Sequence, residues 1–236
     1  MAYRGKTVLA VVPARGGSKG IPRKNMRIVA GKTLIAHVCD VIRDLHWIDR
    51  AVISTDDEEM AKEAKSHGLE APFMRPVELA DDNARSVDAW AHAWRAAETV
   101  YSTTFDISLL LEPTSPLRRA EDIERVMAEL CRSGAQAVAT VSPTPAHYTP
   151  EKTLTVSETG EIGFYVIDGG FYAIRQRIPQ YYHRNGICYA AQRQHVVDAR
   201  LTIEQNTRAF VIDRPVVNID DEFDMNLAEW LMHEEK

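Results

Sequence analysis

Residues 13–25 read PARGGSKGIPRKN and set four cations, Arg15, Lys19, Arg23 and Lys24, among three glycines, Gly16, Gly17 and Gly20. Glycines let backbone N–H groups approach a phosphate closely, and successive amides form an anion-binding concavity. The spacing is neither GxxxxGK followed by Ser or Thr nor GxGxxG, so the segment predicts a polyphosphate cradle of another kind. A second cluster, residues 217–222, reads VNIDDE. On an extended segment Asn218 and Asp220 face one way, and their oxygens could hold Mg2+ or Mn2+ between protein and phosphates. Asp221, Glu222 and Asp224 suit the acidic first turn of a following helix. None of the eight histidines has metal-ligand spacing. His147 and His183 lie where they could border a substrate pocket. The three cysteines, Cys39, Cys131 and Cys188, form no CxxC and read as small buried apolar residues.

These groups need a scaffold, and the apolar pattern predicts one. Residues 7–13, 50–55, 105–111 and 137–141 are short, β-rich and apolar throughout, as strands covered on both faces should be. Between them, residues 33–45, 56–67, 86–100 and 120–132 have helical spacing. Gly68 can end the second helix in the left-handed conformation, Ser86 is the expected N-cap of the third, and Trp90 and Trp94 share one face of it. Alternating strands and helices imply parallel βαβ units, which place the glycine loop at the carboxyl edge of the sheet, where such folds bind ligands. From residue 142 to 185 prolines, glycines and polar residues replace the pattern, predicting a β-rich or irregular extension. A segment this short rarely buries a core of its own, so it is expected to pack on a second subunit of a two-fold homodimer. Strands at 186–190 and 209–212 and a helix at 221–234 complete the expected elements.

The chain has 236 residues, 45% hydrophobic and 26% charged, which suits one domain over residues 1–236 with 142–185 as its extension. A net charge of −6 gives no basic footprint for nucleic acid. No apolar run approaches the ~18–20 residues that span a membrane, and residues 1–6 lack a secretory h-region, so no membrane partner and a cytoplasmic setting are expected.

The glycine loop resembles the N-terminal signature of the acylneuraminate cytidylyltransferases, and three further segments are similar to that family in the same order. They are FMRPVELA at 73–80 with Ala84 and Ser86, LLLEPTSPLR at 109–118, and RQRIP at 175–179 with Asn185 and Gly186. The resemblance implies a three-layer α/β, Rossmann-like nucleotidyltransferase fold with a mostly parallel sheet and a small dimerisation extension. It implies that Ala14, Arg15, Gly17, Ser18, Lys24 and Asn25 hold CTP, and that Arg75, Ala84 and Ser86 recognise cytosine. Glu112, Thr114, Ser115, Arg175, Gln176 and Asn185 would contact a sialic-acid-like 2-keto sugar acid. Arg175 would bind the sugar carboxylate through two parallel hydrogen bonds, with Arg177 assisting. Arg15, Lys24 and Asp220 would be catalytic, with Mg2+ or Mn2+ on Asp220 and Asn218, and the products would be a CMP-sugar and pyrophosphate. Two residues depart from the family's pattern: Asn218 stands where Asp is usual, and Glu112 where Gln is usual. Legionaminic, pseudaminic or 3-deoxy-octulosonic acid therefore stays open as the acceptor, and so does a catalytically weakened nucleotide-binding regulator.

Overall fold

Strand β1, Val8–Pro13, is apolar along its whole length because helices cover it on both faces. Its even positions, Val8, Ala10 and Val12, join one buried cluster; Leu9 and Val11 join another on the opposite face. The computed structural model describes residues 3–18, 20–167, 169–170 and 178–234. Two short strands, β2 (Ile28–Val29) and β3 (Lys32–Thr33), form a small ribbon before helix α1, Leu34–Asp44. The Thr33 side chain caps α1 by accepting from Ala36 N–H. Strand β4 (Arg50–Ser54) and helix α2 (Glu58–Ser66) follow, with the Asp57 carboxylate capping α2 and Gly68 turning the chain at φ +85°. Helix α3 (Ser86–Tyr101), strand β5 (Ile107–Leu110), helix α4 (Ala120–Ser133) and strand β6 (Ala137–Pro143) complete the alternation read from the sequence.

Beyond β6 lie two single 3₁₀ turns and an antiparallel hairpin of β7 (Leu154–Val156) and β8 (Ile162–Phe164). Strand β9, Tyr182–Gln192, re-enters the main sheet, and β10 (Arg208–Val211) and helix α5 (Glu222–Glu234) close it. The excursion proper therefore spans residues 144–181, narrower than the 142–185 expected from composition.

The main sheet has six strands in the order β10-β6-β9-β5-β1-β4. All pairings are parallel except those of β9, which runs antiparallel between β5 and β6. One cluster packs α1, α2 and α4 on the sheet; the other packs α3 with Trp90 and Trp94 buried. These are the three expected layers. Truncating either tryptophan to Ala should cost about 3–5 kcal/mol. A third, smaller cluster of Ile21, Val29, Leu34, Leu117, Val217, Ile219, Met225 and Ala228 fastens the glycine loop and α5 to the sheet's edge. Among the described residues no helix is long and apolar enough to cross a membrane.

Candidate functional site

Several residues of the loop after β1 are tied to neighbouring segments. Gly16 N–H donates to Asp56 Oδ1 at 2.9 Å, so this amide belongs to the scaffold rather than to an open phosphate nest. Arg23 adopts φ +53°, and its guanidinium pairs with Asp57 at 3.2 Å and Glu59 at 2.8 Å, outside the cleft. The 3₁₀ turn Lys24–Met26 carries Lys24 inward, where Nζ donates to Ile219 O at 2.6 Å and Asp220 Oδ1 at 2.9 Å. Gly20 makes this meeting of segments possible, since a β-carbon there would lie 2.4 Å from Asp220 O. Asn25 Nδ2 reaches back to Arg15 O.

A second segment, residues 73–86, forms the opposite wall. Arg75 is only 6% exposed; its Nε donates to Ser54 Oγ and its Nη2 to Ser54 O, and its own N–H is held by Thr55 O. Burial pulls its guanidinium down to about 10, which leaves it charged at neutral pH. The Asp81 carboxylate accepts from Asn83 and Ala84 N–H, an Asx turn that sets the approach to α3. Arg85, not Ser86, takes the N-cap position, and no side chain caps the helix there. Ser86 is instead the first helical residue, because the Asp81 turn and the Arg85–Asp88 pair settle the entry one residue earlier. Arg15 spans the two walls, donating to Asp81 O at 2.9 Å and pairing with Asp82 at 3.2 Å.

The third wall comes from the loop after β5 and the segment before α5. Arg118 is buried and pins this loop to β9, donating to the carbonyls of Glu112, Gly186 and Ile187. Desolvation pulls its guanidinium down to about 10. Burial pushes the Glu112 carboxyl above its usual range, opposed by Arg118 and Arg184. Ile219 N–H donates to Thr114 O, which places Asn218 and Asp220 beside Glu112. Asp221 N–H donates to the Asp224 carboxylate and Asp224 N–H to the Asp221 carboxylate at the start of α5, as acids in a first helical turn should.

These walls enclose one cavity of about 580 Å³. Arg15, Ser18, Lys24 and Asn25 line it from the glycine loop, Arg75, Ala84 and Ser86 from the second wall, and Glu112, Thr114, Asn218 and Asp220 from the third. Four of the described residues that the resemblance assigns do not line it. Ala14 is buried with its N–H on Ser54 O; Gly17 lies outside the lining; Ser115 is buried with its hydroxyl on Asn185 O. Asn185 is 2% exposed, with Nδ2 donating to Ser142 and Oδ1 accepting from Ile187 N–H, so it shapes the strand rather than facing the cleft. His183 turns to Thr144, and neither it nor His147 lines the cavity. Lys19, Arg175, Gln176 and Arg177 lie outside the described residues. Asp81, Asp82 and Arg85 line the cavity, and Arg118 supports it, without having been singled out. The run Asp81-Asp82-Asn83 is a turn signal and could have found the first two.

For a divalent cation the donor set is oxygen only. The Asp220 side chain is 82% exposed, and Asn218 Oδ1 is buried without a hydrogen-bond partner. Among the described residues no three His, Cys, Asp or Glu side chains group as a metal site. An exposed carboxylate beside an unpartnered amide oxygen offers the oxygen donors that a hard divalent ion takes.

A family model described as Cytidylyltransferase matches residues 9–231. The N-acylneuraminate cytidylyltransferase of Escherichia coli O18:K1:H7 is 28% identical over 94% of this chain, which spans 51% of that protein. The CMP-N,N'-diacetyllegionaminic acid synthase of Legionella pneumophila is 29% identical over 95% of this chain and 96% of its own length. In fold, the chain is similar to a CMP:2-keto-3-deoxy-manno-octonic acid synthetase solved with CTP. That likeness has a TM-score of 0.71 and 19% identity, and covers 98% of this chain and all of the other.

Proposed function

This chain belongs to the cytidylyltransferase family, and from that premise we propose that it couples CTP to a sialic-acid-like 2-keto sugar acid, releasing pyrophosphate. The observation that carries the reading is the single cavity onto which the glycine loop, the Arg75–Ser86 wall and the Glu112–Asp220 wall all open. The relatives reported above act, by their names, on N-acylneuraminate and on a legionaminate, two acids of one chemical class.

In this reading Arg75, Ala84 and Ser86 receive the cytosine, and Arg15, Ser18, Lys24 and Asn25 receive the ribose and phosphates. Arg15 and Lys24 already hold carboxylates, Asp82 and Asp220, so a triphosphate would exchange places with groups of like charge. Positioned cations of this kind lower the barrier by neutralising charge that develops on the phosphates. Mg2+ or Mn2+ would be held by Asp220 and the unpartnered Oδ1 of Asn218, and when bound would supply further neutralisation of the triphosphate. Glu112 and Thr114 would orient the sugar so that its anomeric hydroxyl meets the α-phosphate, with Asp220 placed to help take the hydroxyl proton. Arg175 and Gln176 stay proposed contacts for the sugar carboxylate.

The extension would serve a homodimer: Val156, Ile162, Phe164, Tyr165 and the 99% exposed Ile167 are exposed apolar side chains among the described residues. The cytoplasm, which supplies nucleoside triphosphates, is the proposed setting. The test is pyrophosphate release from CTP with a panel of nonulosonic and octulosonic acids. Turnover with at least one nonulosonic acid and not with UTP in place of CTP is expected. Turnover confined to octulosonic acids would reassign the acceptor.

A further inference from the structure

The last residue of β4 and the two that follow it tie the glycine loop to the second wall of the cleft. The Ser54 carbonyl accepts from Ala14 N–H at 2.9 Å and from Arg75 Nη2 at 2.6 Å, so one oxygen joins the start of the loop to that wall. The Ser54 hydroxyl accepts from Arg75 Nε at 3.1 Å. Thr55 O holds Arg75 N–H, and Asp56 holds Gly16 N–H. Ser54 is fully buried and does not line the cavity, while Arg75 does. Among the described residues both side-chain hydrogen bonds of Arg75 end on Ser54. A guanidinium carries five N–H donors in a fixed planar fork and accepts nothing. Ser54 takes the edge formed by Nε and Nη2. The N–H groups that remain, both on Nη1 and one on Nη2, are left for an acceptor atom on whatever the cavity holds.

We propose that Ser54 is the positioning residue for base recognition: by gripping one edge of the Arg75 guanidinium it aims the other edge at the ring oxygen of a pyrimidine, in fixed register with the glycine loop. An arginine side chain left free samples many rotamers, and a nucleotide would have to order it on binding. Ser54 removes that cost beforehand. Its two oxygens do different work. The carbonyl belongs to the backbone and survives substitution; the hydroxyl is the removable half of the grip. The inference rests on the CTP reading above and deepens it.

The test compares the full chain with Ser54→Ala, Arg75→Met and the two combined. Ser54→Cys is added as a variant that keeps the bulk and offers only a weak sulfur acceptor. Three quantities are measured: CTP affinity by calorimetry without sugar acid, inorganic tripolyphosphate affinity by the same method, and the melting temperature. Ser54→Ala should weaken CTP about tenfold, the worth of one hydrogen bond to a charged group. Tripolyphosphate, which has no base, should stay within about twofold. Ser54→Cys should fall between Ser54→Ala and the unaltered chain, and it carries the comparison if Ser54→Ala melts below the assay temperature. In the Arg75→Met background, Ser54→Ala should change CTP affinity by less than about twofold, because the hydroxyl acts only through the guanidinium. An equal loss for CTP and tripolyphosphate would show that Ser54 merely holds the fold, and would overturn the proposal. Unchanged CTP affinity in Ser54→Ala and Ser54→Cys, or additive losses in the combined variant, would overturn it too. If the unaltered chain binds CTP no better than tripolyphosphate, the base subsite fails and the proposal with it. If CTP binding follows the expected pattern but none of the acids is turned over, the acceptor reading fails and the Ser54 assignment stands.

Discussion

Arg15 reaches from the glycine loop across the cleft to Asp81 and Asp82. Such partly exposed pairs are worth only about 0–1 kcal/mol. Arg15→Ala should therefore barely move the melting temperature, while kcat for pyrophosphate release falls roughly 100-fold, because a few kcal/mol of charge stabilisation are lost. Normal turnover would show that the loop is only a basic surface. Glu112 gives a pH signature. Its folded-state pKa is raised, so the group contributes stability that is fully present below its ordinary value of 4.5 and lost as pH rises through the raised value. Glu112→Gln removes that loss. Its melting temperature should exceed that of the unaltered chain at neutral pH, with the gap closing as the buffer is taken below 4.5. A gap independent of pH would mean that desolvation of Glu112 is not the cause. At this scale the sequence named most of the cavity, because charged and glycine residues declare their chemistry by type. It did not show that Asn185 faces inward, that Arg23 faces outward, or that Glu112 and Asn218 both come up against Gly186. Those depend on which strand runs beside which loop.

Elements decide how tightly the loop and the metal-proposed segment are joined. Gly20 lies against the Asp220 carbonyl, and any side chain there pushes backbone against backbone. Gly20→Ala should displace residues 218–220, cut turnover at least tenfold, and cost about 1–3 kcal/mol in stability, read by the pyrophosphate assay and a thermal melt. Unchanged turnover would separate this contact from catalysis. Helices and parallel strands were legible because their apolar periods are strong, and the cores on both faces of β1 follow from them. The direction of β9 was not legible. A strand buried on both faces is equally apolar whichever way it runs, so nothing local records that it enters antiparallel between β5 and β6. The start of α3 was misread for a related reason: a serine signals a cap, but the Asp81 turn upstream settles where the helix begins.

At the scale of the whole molecule, the β7–β8 hairpin carries exposed apolar side chains among the described residues. Replacing both Ile162 and Phe164 by Glu should give a monomer by light scattering at micromolar concentration, where the unaltered chain is expected to scatter as a dimer. Monomers in both samples would remove the proposed homodimer. The same region has a further consequence through the way it is attached. Thr144 N–H donates to Tyr181 O at 2.8 Å, and Pro143 pairs with Tyr182, so the excursion leaves and rejoins the sheet at adjacent rungs. In effect it is the tip of a long β6–β9 hairpin. Closing such a tip costs entropy that grows only slowly with its length. The tip can thus be exchanged like a cartridge without rethreading the sheet. A chain with residues 144–181 replaced by a tight turn should still melt cooperatively and bind CTP, which makes this rung the natural point at which relatives could diverge in assembly while keeping one nucleotide site.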